Sequence, residues 1–415
     1  MYNNIGMYIG HKRKNILKET KLEKYSQSEF IKFGDKIICT QPKLSLIENG
    51  KIKIPNYIEY ELLINNLGLK SAPYFELEEL YNEFAHNLLF SLQYQDHSTL
   101  MKFKHIFEES FSKFNDVFYL NDVNEILSAC INAQLGISLP NSEFLIKYLD
   151  AYTCFPEDIQ ILILDTSNLI IENYFPLKNM RTRLNTLIEQ SSSEEPLMSI
   201  LKAGRNVRQL KLFEAQDKLL KLNIDGLNEL MKFRIERLLY MIEIDHANPL
   251  TDNIITKNPS LKYQDINRFE RCRPFSSTAT IRYTHKAYEE ALVDYENAIS
   301  INDEAACFNI IYIADCLYET NRIHLLRPKI ELARKYSHHY SRLTNDILNF
   351  FEEIYDIGSE KVKYKGFELL FESLAQLNSD SPYVIIVRKH LLSFIGNNHR
   401  YKLIYDFDMK MQNNS

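Results

Sequence analysis

Apolar residues recur three and four positions apart along most of this 415-residue chain, the spacing of one buried face on an amphipathic helix. Strand-like alternation is scarce, and few glycines or prolines interrupt the pattern. The spacing therefore predicts an all-α fold. The clearest predicted helices cover residues 74–94, 98–114, 120–135, 156–174, 225–244, 286–300, 304–320, 341–356 and 363–377.

Two stretches lack this clean spacing. Residues 191–196 read Ser-Ser-Ser-Glu-Glu-Pro, which is typical of a loop leading into a helix that a serine caps. Residues 246–283 carry three prolines and many polar side chains. They are predicted to form a long connection or an irregular pair of helices.

Charge divides the chain near residue 70. Residues 1–70 hold 12 Lys and Arg against 7 Asp and Glu, whereas the whole chain has a net charge of −6. Gly68 suits the left-handed residue that ends a helix predicted over 57–69. We therefore expect two domains: a basic one over residues 1–70 that approaches phosphates, and an acidic one over residues 71–415.

Residues 37–51 contain the most informative motif, Ile-Ile-Cys-Thr-Gln-Pro-Lys-Leu-Ser-Leu-Ile-Glu-Asn-Gly-Lys. It predicts a polar turn and then a compact helix that begins near Thr40 and places Leu44 and Ile47 in the core. This pattern resembles the recognition helix of the lambdoid-repressor type of helix-turn-helix, especially in peptide-sensing regulators of Gram-positive bacteria. The resemblance implies a helix that lies in the major groove of DNA.

The same resemblance assigns neighbouring elements. Helix one begins near Ile5, and Arg13 on it is expected to form a structural ion pair with Glu48. We place helix two at residues 26–33, with Ser26 as N-cap and Glu29 completing a capping box. An alternative register uses residues 17–25 as helix two and leaves 26–37 as an insertion. The stretches before and after Gln27 are longer than in the family.

Base and phosphate contacts are expected around the amino end of the recognition helix, where this motif class reaches base edges. Gln41 is suited to adenine, and Lys43 to guanine or a phosphate. Ser45 and the residues after the helix suit phosphates, which position the protein without specifying sequence. The expected DNA-binding residues are Gln27, Thr40, Gln41, Lys43, Ser45, Asn49, Lys51 and Lys53.

A faint internal repeat appears in the acidic domain. Ala291-x3-Tyr295-x2-Ala298 recurs 35 residues later as Leu326-x3-Ile330-x2-Ala333, and Ala314 lies in the helix between them. The pattern resembles tetratricopeptide repeats, which are paired antiparallel helices, and predicts a helical-repeat solenoid. Amphipathic helices that happen to share an interval explain this pair of segments nearly as well.

The whole arrangement resembles the Rgg, Rap and PlcR-like family of peptide-sensing regulators. It implies a cytoplasmic, homodimeric transcription regulator whose two heads read a palindromic double-stranded DNA operator and whose helical domain binds a short oligopeptide. An alternative is a Rap-like scaffold that binds a protein partner and not DNA. The candidate peptide-binding residues are Arg268, Arg271, Arg273, Asn309 and Tyr312. The arginines suit a peptide carboxylate or, alternatively, the acidic side chains of the same domain.

Motifs for catalysis or metal binding are missing from the sequence. No phosphate loop, nucleophile elbow or metal-binding helix pattern occurs, so we expect neither enzyme activity nor a cofactor or metal. His338 and His339 are adjacent and therefore point to different helix faces. The six cysteines form no Cys-x-x-Cys pair, and no apolar run has the length of a membrane span.

Overall fold

The computed structural model describes residues 2–173, 178–246, 256–337, 342–355, 367–375, 377, 381–398 and 401–412. Helices make up most of this part of the chain, which confirms the all-α class. The division into a helix-turn-helix head and a repeat solenoid stays a prediction. The first helices and strands are Tyr2–Thr20 (α1), Gln27–Phe30 (α2), Lys32–Phe33 (β1), Lys36–Ile37 (β2), Gln41–Glu48 (α3) and Tyr57–Asn66 (α4).

Each of the nine predicted periodic segments overlaps one of the later helices, and the segment at 74–94 has the predicted bounds. The prediction over 98–114 divides into a helix and a 3-10 turn at Ser112–Phe114. These later helices are Tyr74–Tyr94 (α5), Thr99–Ser110 (α6), Leu120–Gln134 (α7), Ser142–Asp150 (α8), Glu157–Asn173 (α9), Lys178–Gln190 (α10), Pro196–Arg208 (α11), Leu212–Leu220 (α12), Glu229–His246 (α13), Pro259–Lys262 (α14), Arg268–Arg271 (α15), Arg273–Thr284 (α16), Tyr288–Ile301 (α17), Ala305–Glu319 (α18), Leu326–Tyr336 (α19), Arg342–Tyr355 (α20), Phe367–Ala375 (α21), Pro382–Asn398 (α22) and Tyr401–Gln412 (α23).

One local prediction, the serine cap of α11, is wrong, and another holds in part. In the region at 246–283, the described residues 257–272 contain only the four-residue helices α14 and α15, as an irregular segment would, but α16 after them is a continuous helix of 12 residues. Pro259 and Pro274 stand in the first turns of α14 and α16, where the missing N–H of proline leaves no hydrogen bond unmade. The N-cap of α11 is Glu195 and not a serine, and its side chain makes no capping hydrogen bond. Residues 247–255 lie outside the described part of the chain.

The described residues fall into two compact units. The first comprises Met1–Ser167, Pro196–Met198 and Ile224–Met231, and the second comprises Asn168–Glu195, Ser199–Asn223 and Lys232–Ser415. The predicted head therefore shares one unit with the helices that follow it. The boundary expected at residue 70 stays a prediction.

Aromatic packing joins the predicted head to the rest of the first unit. Tyr8 on α1 is fully buried, and its ring centroid lies 5.5 Å from that of Phe118 and 5.6 Å from those of Tyr119 and Phe155. After α4, the carbonyl of Lys70 accepts a hydrogen bond from the backbone N–H of Phe118 at 2.8 Å. Contacts at both ends of the head thus hold it against the following helices.

In the second unit, consecutive helices from α16 to α20 pack against one another. The small residues of the faint repeat lie at these contacts, since Ala291, Ala298, Ala314 and Ala333 are all fully buried. Small side chains let neighbouring helices approach closely. This burial explains why the spacing recurs, while the solenoid architecture remains an expectation.

Two glycines let α1 cross α3 at unusually short range. A Cβ atom added at Gly6 would lie 2.5 Å from the carbonyl oxygen of Ile47, and one at Gly10 would lie 2.8 Å from the Cβ of Glu48. Real Cβ atoms do not approach other atoms so closely, so only glycine fits. This close contact with α1 fixes the position of the carboxyl-terminal end of α3.

We predict that Gly6→Ala destabilises the first unit by about 1–3 kcal/mol, the usual range for overpacking. In an open helix the same change is favourable by up to about 1 kcal/mol, because alanine has the higher helix propensity. Urea unfolding followed by circular dichroism measures the difference.

The matched control is Gly204→Ala in α11. Its added Cβ would meet its nearest neighbour, the Cδ2 of Leu238, at an ordinary 3.7 Å. This variant should be neutral or stabilising. Equal changes in the free energy of unfolding of the two variants would contradict the close crossing of α1 and α3.

Candidate DNA-reading helix and ligand groove

A buried ion pair joins α1 to α3. Arg13 Nε donates to Glu48 Oε1 at 2.5 Å, and its Nη2 donates to Glu48 Oε2 at 2.9 Å. A third hydrogen bond runs from Arg13 Nη1 to the carbonyl oxygen of Tyr25 at 2.7 Å. Gln27 Nε2 donates to the same carboxylate at 3.3 Å. The pair expected from the sequence thus forms, and it also connects the 3-10 turn Glu23–Tyr25 and α2.

The burial of this pair gives it a positional role. Arg13 and Glu48 are 3% and 6% exposed, so each charge depends on its partner and on the surrounding hydrogen bonds. The bidentate geometry also fixes the relative orientation of the two helices. The buried ion pair with α1 therefore sets the orientation of α3.

The amino end of α3 is built by a local cap. Thr40 is the N-cap residue, and its side chain accepts a hydrogen bond from the backbone N–H of Lys43 at 3.4 Å. Pro42 occupies the first turn, while Leu44 and Ile47 are fully buried. The start of the helix and its two core residues are as predicted. Gln41 is left exposed at the amino end.

Some of the other residues expected to contact DNA are engaged by neighbouring side chains, and others are exposed. Lys43 Nζ pairs with Glu59 at 2.6 Å, Gln27 belongs to the buried cluster, and Asn49 Nδ2 donates to the carbonyl of Ser45 at 2.6 Å. Lys51 and Lys53 are exposed in the segment after α3. Three of the eight residues are exposed and make no side-chain hydrogen bond or ion pair with the described part of the chain: Gln41, Lys51 and Lys53. DNA contact by any of the eight stays a prediction.

Helix two is shorter than expected. α2 is a single turn. Ser26 is its N-cap residue, as predicted, but the Ser26 side chain makes no capping hydrogen bond and instead pairs with the hydroxyl of Ser28 at 3.1 Å. Glu29 pairs with Lys32 at 2.7 Å, so the predicted capping box is wrong. The alternative register over 17–25 is also wrong, because α1 continues through Thr20 and only a 3-10 turn follows.

The extra residues before α3 form a β-hairpin. β1 and β2 pair antiparallel, and Gly34 in the turn has a φ of +59°, a conformation that favours glycine. Asn66 Nδ2 donates to the carbonyls of Phe30 and Lys32, both at 2.8 Å, and so anchors the base of the hairpin. The sequence shows that the stretch between Gln27 and α3 is longer than in the resembled family, but it does not predict the two strands.

A groove of about 540 Å³ lies within the second unit. Arg273, Asn309 and Tyr312 line it, so three of the five candidate peptide-binding residues come together. The other two, Arg268 and Arg271, do not line it. Arg268 pairs with Glu304 at 3.0 Å, and Arg271 donates to the carbonyl of Gln264 at 2.5 Å.

Sequence reasoning missed other residues in the groove, above all Arg181, Glu172 and Tyr383. Glu172 pairs with Arg237 at 2.9 Å and with Arg208 at 3.4 Å. Burial alone would raise the pKa of Glu172, but the positive charges of Arg237, Arg208 and Arg273 outweigh it and lower the pKa. Glu172 is therefore a carboxylate at neutral pH. No local sequence signal marks these residues, because they converge from separate helices.

Comparison of the chain with protein-family models, with curated proteins and with solved structures finds no match. None of the helices in the described part of the chain is both long enough and apolar enough to cross a membrane. His338 and His339 lie outside the described residues.

We predict that Glu48→Gln lowers the free energy of unfolding of the first unit by about 3–5 kcal/mol, because it leaves the buried Arg13 charge unpaired. Glu61→Gln, which removes an exposed carboxylate from α4, is the control and should cost less than about 0.5 kcal/mol. Urea unfolding of both variants measures the difference. Equal losses would show that the ion pair does not hold α3.

Proposed function

We propose that this protein is a sequence-specific DNA-binding transcription regulator that reads double-stranded DNA with α3. One observation carries the proposal: a buried, bidentate ion pair orients a short helix whose amino end presents Gln41 to solvent. A base-reading helix must be held rigidly, because a small misplacement removes the hydrogen bonds to base edges.

The surrounding charges support this assignment. Lys51 and Lys53 are exposed in the segment after α3, and Lys32 and Lys36 are exposed on the hairpin before it. Cationic side chains on both sides of a reading helix suit phosphate contacts, which fix the register of a protein on the duplex. In the proposal, Gln41 reads a base, preferably adenine, and these lysines contact phosphates.

The finer features of the proposal concern assembly and control. We propose a cytoplasmic homodimer, because two symmetric heads match the two half-sites of a palindromic operator. The second unit is the sensing part and takes a short signalling peptide. The groove that contains Arg273, Asn309 and Tyr312 is the place for such a ligand.

A second candidate function is a protein-binding scaffold that does not bind DNA. The hairpin favours it, because Phe33 and Ile37 are 44% and 70% exposed and present apolar surface beside α3. Apolar side chains of this kind suit a protein surface better than a phosphate backbone. The two functions differ in whether purified protein retains duplex DNA.

The test is selection from a pool of randomised DNA duplexes with the full-length protein. We expect enrichment of a palindromic sequence. Gln41→Ala should reduce discrimination at one base of each half-site by roughly fivefold to a hundredfold, since one bidentate base contact contributes about 1–3 kcal/mol.

The double variant Lys51→Ala with Lys53→Ala should act differently. It should weaken binding to all duplexes alike and lower the salt dependence of binding by about two released ions. Lys102→Ala, which removes an exposed lysine from α6, is the control and should change neither property. If no duplex is enriched and the hairpin captures a protein partner, the DNA-binding function is contradicted and the protein-binding scaffold is favoured.

A further inference from the structure

α3 carries an apolar side chain on its exposed side. Leu46 is 46% exposed, although Leu44 and Ile47 of the same helix are fully buried. Because residues four apart are neighbours on a helix surface, Leu46 lies next to the exposed Pro42, one turn nearer to Gln41. The exposed side of α3 therefore combines Gln41 with an apolar strip that Pro42 and Leu46 form.

Other polar groups on and beside this surface are engaged within the protein. Asn49 Nδ2 donates to the carbonyl oxygen of Ser45 at 2.6 Å and lies 3.4 Å from the Ser45 hydroxyl oxygen. Lys43 Nζ pairs with Glu59 at 2.6 Å. Gln41, in contrast, is exposed and makes no side-chain hydrogen bond with the described residues. A helix with this surface has one available polar side chain, so contact with more than one base pair has to include the apolar strip.

One base offers an apolar group to such a strip. In the major groove, guanine, cytosine and adenine present hydrogen-bonding groups, and thymine also presents its 5-methyl group. A leucine side chain has no donor or acceptor, so against a guanine or cytosine edge it would displace water without replacing the lost hydrogen bonds. Against a thymine methyl group it buries apolar surface on both molecules, which is favourable.

We propose that Leu46, flanked by Pro42, contacts the 5-methyl group of a thymine in each half-site and thereby selects a second base pair beside the one that Gln41 reads. This inference rests on the proposed function. Five residues separate Leu46 from Gln41, which corresponds to about 7.5 Å along the helix axis. Because successive base pairs are about 3.4 Å apart, the two selected positions should lie about two base pairs from one another.

The experiment uses the full-length protein and the duplex that it enriches from a random pool. Each thymine is replaced in turn by deoxyuridine in both half-sites, which removes the methyl group and leaves base pairing unchanged. Fluorescence anisotropy measures the affinity at one fixed salt concentration, because binding to DNA depends on salt. At one thymine position we expect a loss of about fourfold for each methyl group, and thus roughly tenfold to twentyfold for two half-sites.

The variant Leu46→Ala should no longer respond to this replacement. It should bind the thymine duplex more weakly than the native protein does, and deoxyuridine should weaken its binding less than about twofold further, since the two changes remove the same contact. Gln41→Ala should keep the response to deoxyuridine. The matched control is Leu80→Ala, which removes a leucine of similar exposure, 42%, from α5 and should respond as the native protein does.

Urea unfolding shows whether the variants keep the fold. Leu46 lies outside the core, so Leu46→Ala should unfold at nearly the same urea concentration as the native protein. A weaker affinity at equal stability then belongs to the interface with DNA.

Two results would overturn the methyl contact and leave the DNA-binding function intact. One is an enriched duplex in which no thymine responds to deoxyuridine, and the other is an equal response in the native protein and in Leu46→Ala. Failure to enrich any duplex would overturn the DNA-binding function and this inference with it. If, in addition, Leu46→Ala abolished capture of a protein partner, the exposed side of α3 would belong to the protein-binding scaffold.

Discussion

The arrangement of α1 and α3 in the first unit depends on the buried pair of Arg13 and Glu48. Two opposite charges with almost no solvent contact must satisfy one another, and this pair does so with parallel hydrogen bonds. Since one partner lies on α1 and the other near the end of α3, the requirement sets how the two helices meet. The backbone of Tyr25 and the side chain of Gln27 complete the cluster. The exposed amino end of α3 is thereby presented in one orientation.

The opposite side of α1 has a different role. Tyr8 packs among the rings of Phe118, Tyr119 and Phe155, so α1 belongs both to the predicted head and to the helices that follow it. Within the proposed function, α3 is a fixed part of the first unit, and a signal acts on that whole unit.

Long-range periodicity made most helices predictable, because a buried face repeats over several turns. The resemblance to the helix-turn-helix pattern predicts the Arg13–Glu48 pair, and the structure contains it. The hairpin at 32–37 was missed because strands of two residues are too short to show alternation. Ser26 and Glu29 have the spacing of a capping box, yet Glu29 pairs with Lys32 instead. Sequence spacing does not decide between competing local partners.

The groove shows the same limit at the level of tertiary structure. Arg273, Asn309 and Tyr312 were named for their chemistry, but nothing in the sequence separates Arg181, which lines the groove, from Arg183 two residues later. Only the rotation of α10 against its neighbours makes that choice. Arg268 was an equally good candidate by sequence, and Glu304 engages it. The residue types that suit a ligand can be predicted from the sequence, whereas the packing of the helices decides which of them line the same groove.

In the proposed function, α3 and the segment after it bind DNA. Hydrogen–deuterium exchange of the full-length protein, with and without the duplex it retains most strongly from a random pool, tests this most directly. We expect slower exchange on DNA binding in residues 40–53, with little change in the buried helices that pack against them. Protection confined to other segments, or a protein that retains no duplex, would contradict it.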